Sequence, residues 1–90
     1  MKRSNAGDGH QRLGERLKGL RARAGLTQSA LAERLGERQA FVSEYERGQR
    51  RLDVLELRVI AVALGRPAEA VVAQLDALDA VLAALGEDAL

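Results

Sequence analysis

The chain has 90 residues, with 14 basic and 13 acidic side chains, no cysteine, and only two aromatic residues. This composition excludes a disulfide framework, a thiolate metal site and a cysteine nucleophile, and no apolar run reaches the length of a membrane span. The charge is uneven, because residues 1–51 carry 12 basic and 6 acidic side chains whereas residues 52–90 carry 2 and 7. The first half therefore suits a polyanion such as a nucleic acid.

The first part of the chain predicts an arm followed by a helix. Residues 1–11 are polar and contain glycine, which predicts a flexible N-terminal arm that leaves His10 in solvent. Residues 12–23 predict an amphipathic helix that ends before Gly25. Its apolar face comprises Leu13, Leu17 and Leu20.

Residues 27–48 predict two short helices joined by a sharp turn. The helices are expected over residues 28–35 and 39–46, with Thr27 as the N-cap of the first and Gly36 in the turn, where a positive φ is needed. The apolar positions recur at helical spacing and are Leu31, Leu35, Val42 and Tyr45. A small residue, Ala32, stands where the two helices would approach most closely. This layout is typical of a helix-turn-helix that reads DNA, and the alternative is a helical hairpin within an unrelated bundle.

The last part of the chain predicts two more helices. A helix over residues 54–64 follows the N-cap Asp53 and is apolar on two faces. A C-terminal helix is expected within residues 66–86, and residues 87–90 are expected to fray. Its apolar residues follow the heptad spacing of a helix-pairing seam and are Val71, Leu75, Leu78, Leu82 and Leu85. We expect this seam to form a dimer interface and to cover the second face of the preceding helix, and the alternative is packing within one chain only.

Residues 13–65 resemble the Xre/Cro-type helix-turn-helix family of bacterial and phage repressors. The residues that carry the resemblance are Leu26, Gln28, Leu31, Ala32, Gly36, Val42, Ser43, Glu46 and Gly48. The resemblance implies an all-α, five-helix DNA-binding domain, usually dimeric, that acts on operators near promoters.

The resemblance also implies roles for individual residues. Gln28 corresponds to the family glutamine that hydrogen-bonds phosphate and braces the second helix of the motif, and Glu46 corresponds to a structural glutamate. The residues expected at the major groove or its walls are Arg38, Gln39, Ala40, Ser43 and Glu44. The residues expected to grip phosphate are Gln49, Arg50 and Arg51.

Among these residues, Gln39 is the foremost candidate for reading a base, because its amide can pair bidentately with adenine. Two residues depart from the family pattern, Glu37 and Glu44, whose carboxylates are repelled by phosphate. Glu44 either accepts a hydrogen bond from cytosine or is simply solvated.

The sequence thus predicts a transcriptional regulator that binds double-stranded DNA, a repressor acting as a homodimer on a palindromic operator. We expect a cytoplasmic protein of bacterial or phage origin, associated with the nucleoid when bound to DNA, without cofactor, metal or membrane. No cluster of residues predicts an enzyme. Two alternatives remain: an antitoxin that binds its own promoter and a toxin protein, and a protein-interaction module that has lost DNA binding.

Overall fold

The computed structural model describes residues 4–73, with side chains from residue 9 onward, and these residues form five helices. The helices are α1 (Ser4–Arg23), α2 (Gln28–Leu35), α3 (Gln39–Glu46), α4 (Val54–Ala63) and α5 (Ala68–Ala73). Helix α1 packs on α3 and α5, α2 packs on α3 and α4, and α4 packs on α5. The predicted all-α, five-helix class is confirmed, and the bounds of α2 and α3 coincide with those expected from the sequence.

One hydrophobic core joins all five helices. Its buried members are Leu17, Leu20, Leu31, Ala32, Val42, Tyr45, Ile60, Ala61 and Val71. All of them except Tyr45 are aliphatic, as the scarcity of aromatic residues requires. Burial of side chains of this size stabilises a fold by about 1.5–3 kcal/mol each for the larger ones, so the core accounts for a compact domain without disulfides.

Local hydrogen bonds set the ends of α2. The Thr27 hydroxyl accepts from the backbone N–H of Ala30 at 3.0 Å, which satisfies one free donor at the start of the helix. Gly36 follows the helix with φ of 70°, and the N–H of Glu37 then donates to the Ala32 carbonyl at 2.9 Å. This left-handed position is the one at which glycine avoids a steric cost, so α2 stops where the sequence indicates.

A reciprocal cap starts α4. The Asp53 carboxylate accepts from the N–H of Glu56 at 2.7 Å, and the Glu56 carboxylate accepts from the N–H of Asp53 at 2.9 Å. The pair satisfies two backbone donors at once and fixes the direction in which the chain enters α4.

The prediction of a flexible arm over residues 1–11 is wrong for residues 4–11, which form the first turns of α1. Glycines in this segment lower its helix propensity, but extending a helix already nucleated further along adds one backbone hydrogen bond per residue. The segment also packs, since a Cβ at Gly48 would lie only 2.9 Å from the Cα of Gln11. The close approach of Gln11 to Gly48 is thus a tertiary contact at the end of this segment, which local helix propensity does not indicate.

The predicted dimerisation seam needs correction at its first residue. Val71 is 0% exposed and belongs to the core of its own chain, because α5 packs against α1 and α4. It therefore has no surface to offer a partner. The other seam residues, Leu75, Leu78, Leu82 and Leu85, and the predicted tail over residues 87–90 lie outside the described residues.

Helix α4 buries only one of its two apolar faces. Ile60 and Ala61 lie in the core, whereas Leu55, Val59 and Val62 are 71%, 55% and 65% exposed. We call these three residues the α4 apolar stripe. The expectation that the C-terminal helix covers the stripe is not met by the part of α5 that the structure describes.

Candidate nucleic-acid interface

Helix α3 divides its residues between the core and a polar outer face. Val42, Tyr45 and Glu46 are buried, and this burial fixes which side of the helix faces solvent. Of the residues expected at the major groove, four are exposed and Ser43 is half-buried. The exposed four are Arg38, Gln39, Ala40 and Glu44. The structure thus brings this predicted set together on one exposed surface.

Gln28, the first residue of α2, contacts both ends of α3. Its amide Nε2 donates to Glu46 Oε1 at 2.9 Å, and its Oε1 accepts from Gln39 Nε2 at 3.3 Å. Ser29 adds a third contact, because its hydroxyl donates to Gln39 Oε1 at 3.2 Å. The side chain of Gln39 is therefore held on two sides at the N-terminal end of α3.

Glu46 is held in turn by an arginine that the sequence analysis did not assign. Arg21 Nε donates to Glu46 Oε2 at 2.7 Å and Arg21 Nη2 donates to Glu46 Oε1 at 3.1 Å. A third donor, Nη1, reaches the carbonyl of Leu26 at 2.7 Å. The hydrogen bond that Arg21 donates to the Glu46 carboxylate raises the pKa of Arg21, so the guanidinium stays charged. The spacing of 25 residues between the partners left no local signal in the sequence.

The neighbouring Tyr45 is the most buried polar side chain on α3. Burial raises the pKa of its hydroxyl above the ordinary value of about 10, and the negative charge of Glu46 adds to the rise. The hydroxyl oxygen is buried and has no hydrogen-bond partner among residues 4–73. Tyr45 thus serves packing, and its ring meets Phe41 edge to face with 5.4 Å between centroids.

Arg47, which the sequence analysis also missed, organises the end of α3. Its guanidinium donates to the Ser43 hydroxyl and, through Nε and Nη2, to Gln49 Oε1 at 3.3 and 3.2 Å. Two residues predicted to contact DNA are thereby linked by a third that is exposed and charged. The four-residue spacing of Ser43 and Arg47 on one helix face was the signal available for this contact.

The two consecutive arginines of the loop after α3 have different surroundings. Arg50 donates to Glu56 Oε2 at 2.6 Å and lies over the Phe41 ring, with 4.7 Å from Cζ to the ring centroid. Arg51 is exposed and takes part in neither of the two ion pairs found in residues 9–73. Arg51 is therefore the freer of the two to meet a phosphate.

A recess of about 280 Å³ lies beside the outer face of α3. Its lining residues are Glu37, Arg38, Ala40, Phe41, Glu44 and Arg50. Charges of both signs meet here, so the two carboxylates that depart from the family pattern lie on the surface that would face a polyanion.

Residues 9–73 contain no group of three side chains able to hold a metal ion. None of the helices that the structure describes is both long enough and apolar enough to cross a bilayer.

These features are those of a helix-turn-helix protein. Two helices, α2 and α3, meet at a tight glycine turn, and side chains of α2 hold the polar outer face of α3 in place. A family model described as Helix-turn-helix matches residues 17–71. The clp gene regulator ClgR from Corynebacterium glutamicum is 31% identical, with a TM-score of 0.69 over 71% of this chain and 82% of its own. The restriction-modification controller protein C.AhdI from Aeromonas hydrophila is 33% identical, with a TM-score of 0.65 over 68% of this chain and 92% of its own.

A third solved structure, that of apo-HppE, is 32% identical, with a TM-score of 0.65 over 69% of this chain but only 35% of its own. No curated protein sequence matches this chain significantly. The chain belongs to the Xre/Cro-type helix-turn-helix family. It is a DNA-binding transcriptional regulator.

Proposed function

We propose that the protein is a sequence-specific repressor that binds a palindromic operator as a dimer, with the outer face of α3 in the major groove. Such a regulator works where the chromosome lies, in the cytoplasm of a bacterium or of a phage-infected cell. The observation that carries the proposal is the way in which Gln39 is held.

The free hydrogen-bonding capacity of the Gln39 amide matches adenine. An amide nitrogen has two donor hydrogens and an amide oxygen has two acceptor lone pairs. Gln28 takes one donor and Ser29 takes one acceptor, which leaves one of each. Adenine presents one acceptor and one donor, N7 and N6, in the major groove. The bracing contacts also reduce the side-chain entropy that binding would cost.

Contacts with phosphate are proposed for the residues around the ends of α3. Arg38 stands at the N-terminal end, and the linked pair Arg47 and Gln49 stands at the other, with Arg51 two residues after Gln49 in the chain. Cationic side chains at both ends of a helix in the major groove can contact the phosphates of the two DNA strands that border the groove. Such contacts fix the position of the helix on the duplex without reading the base sequence. This charge would make affinity fall as salt rises.

The dimeric state is proposed from exposed apolar surface. The α4 apolar stripe continues into a groove of about 290 Å³ that is lined in part by Leu35 and Phe41. Large apolar residues clustered on a surface mark an interaction site more often than they are left in water. Two copies would double the contacts and set the half-sites about 34 Å apart, one turn of DNA.

The experiment that tests the proposal is selection of bound duplexes from a random pool. The wild type should enrich a two-fold symmetric site with adenine preferred at one position of each half-site. Gln39→Ala should relax that position and cost about 1–3 kcal/mol on the selected site. Gln11→Ala is the matched control, because it makes the same chemical change at an exposed position of α1 and keeps the Cα and Cβ atoms that lie near Gly48. A pool that stays random after selection with the wild type would contradict the proposal.

A further inference from the structure

Arg50 is held between two helices rather than extended into solvent. Its guanidinium lies 2.6 Å from Glu56 Oε2 on α4 and 4.7 Å from the ring centroid of Phe41 on α3. Its side chain is 38% exposed, less than expected for an arginine free to reach outward. A guanidinium over a ring face gains cation–π attraction in addition to the ion pair.

Both partners of Arg50 are themselves fixed. The other oxygen of Glu56 accepts from the N–H of Asp53 in the cap of α4, at 2.9 Å. The Phe41 ring packs edge to face on Tyr45, with 74° between the ring planes, and Tyr45 lies in the core. Arg50 therefore completes a continuous set of contacts from the start of α4 to the middle of α3.

The ion pair also changes what Arg50 can offer to DNA. To bind a phosphate, Arg50 would have to leave Glu56 and Phe41, and the carboxylate would then face the DNA unpaired. The next residue, Arg51, is exposed and belongs to neither ion pair of residues 9–73, so it meets a phosphate at no such cost.

We propose that Arg50 is a positioning residue for DNA recognition and that Arg51 alone of the two binds phosphate; this inference rests on the proposed function. Arg50 fixes the loop after α3 against both α3 and α4. As a result, Arg51 reaches the DNA backbone while Gln39 reaches the bases. Without Arg50, the phosphate contacts remain, but the position of Arg51 relative to Gln39 is less well defined, so the base contact is weaker.

The test measures the slope of log affinity against log salt, and the ratio of affinities for the selected duplex and a random duplex. Arg51→Ala should reduce the slope by about one unit per protomer and weaken both duplexes alike. Arg50→Ala should leave the slope unchanged and lower the affinity ratio roughly two- to fivefold. Phe41→Leu, which changes no charge, should act like Arg50→Ala. Arg58→Ala, an exposed arginine on α4, is the control and should change neither quantity.

Each result separates positioning from phosphate binding. Partial unfolding lowers the active fraction for both duplexes alike and leaves the ratio unchanged; if Arg50→Ala does not fold, Phe41→Leu decides. A flatter slope for Arg50→Ala with an unchanged ratio would overturn the inference and make Arg50 a phosphate contact. So would an unchanged slope and ratio in both Arg50→Ala and Phe41→Leu. If the wild type itself shows no preference between the duplexes, the proposed function fails instead.

Discussion

Arg21 and Glu46 join α1 to α3 through an ion pair with 2.7 Å between Nε and Oε2, and the Glu46 side chain is only 2% exposed. The carboxylate also accepts from Gln28, so one buried charge connects α1 to both helices of the motif, α2 and α3. Helix α3 is thus oriented by a polar contact in addition to its apolar face. A buried charge that loses its partner is costly, which makes the pair a sensitive point of the fold.

Replacing Arg21 should destabilise the protein far more than replacing an exposed arginine of the same helix. Arg21→Met leaves the Glu46 carboxylate buried without its cation, at a cost of about 3–5 kcal/mol in the free energy of unfolding. Arg23→Met makes the same chemical change at an exposed position and should alter stability by less than about 0.5 kcal/mol. Urea unfolding measures both. Equal effects of the two substitutions would contradict a structural role for the pair.

Two glycines of α1 should respond in opposite directions to alanine. A Cβ at Gly14 would lie 2.2 Å from the Tyr45 carbonyl oxygen and 2.8 Å from that of Glu46, so Gly14→Ala must push α1 away from α3. We expect a loss of about 1–3 kcal/mol or more. A Cβ at Gly19 would meet nothing within 4 Å, so Gly19→Ala should gain about 0.5–1 kcal/mol from helix propensity. Thermal unfolding of both variants tests the prediction, which a tolerated Gly14→Ala would refute.

The buried hydroxyl of Tyr45 should make stability fall at alkaline pH. Its raised pKa means that the folded chain keeps the proton at pH values where the unfolded chain has lost it. The contribution is therefore constant below about pH 10 and declines above it, by up to about 1.4 kcal/mol per pH unit until the folded pKa is reached. Tyr45→Phe should remove this part of the decline and cost little near neutral pH, because the hydroxyl has no partner among the described residues.

Unfolding of the wild type and Tyr45→Phe at several pH values provides the measurement. The chain has a single tyrosine, so its ionisation can also be followed directly by absorbance. Parallel stability curves for the two proteins above about pH 10 would contradict the prediction.

Glu44 should lower the affinity for DNA of any sequence. Its carboxylate lies on the exposed face of α3 and lines the same recess as Glu37 and Arg38. Glu44→Gln removes repulsion from phosphate, so binding to a random duplex should strengthen. If the carboxylate accepts a hydrogen bond from cytosine N4, the preference for the selected duplex should weaken as well. Glu33→Gln, on the exposed side of α2, is the control. An equal gain for every duplex would show that Glu44 is only solvated.

Charges placed in the predicted dimer seam should give a folded monomer. Leu78→Asp combined with Leu82→Asp changes two seam residues outside the described part of the chain, and Leu55→Asp changes the α4 apolar stripe. Sedimentation should show a dimer for the wild type at tens of micromolar and a monomer for both the double variant and Leu55→Asp, with Ala22→Asp as an exposed-helix control. A monomeric wild type at that concentration would contradict the proposed assembly.

The contacts that the sequence predicted well are those between neighbours in the chain. The hydroxyl of Thr27 acts three residues away and the cap of Asp53 on Glu56 does the same, so both could be inferred from residue type and spacing. Gly36 was inferred for the same reason, because the positive φ after a helix depends on the backbone at that residue alone. The α3 face followed from the spacing of Val42 and Tyr45, which places their neighbours outside.

The C-terminal seam and the start of α1 show the limit of such patterns. A heptad spacing indicates that one helix face is apolar but not whether that face packs on a second chain. Val71, which lies on this face, packs within its own chain. The glycines before residue 12 favoured an arm, yet contact of Gln11 with Gly48 places that residue in the packed domain. The spacing of apolar residues therefore predicts which face of a helix is apolar, whereas the tertiary structure determines which residues that face contacts.

By itself, the sequence determined the all-α class, the motif and the family, because hydrophobic period, caps and turn glycines act over a few residues. The tertiary structure decided the partner of Arg21, the need for glycine at Gly14 and the difference between Arg50 and Arg51. Each of these depends on atoms from separate helices meeting within a few ångströms. Distances of that kind are set by how the whole core packs, and no local pattern of residues encodes them.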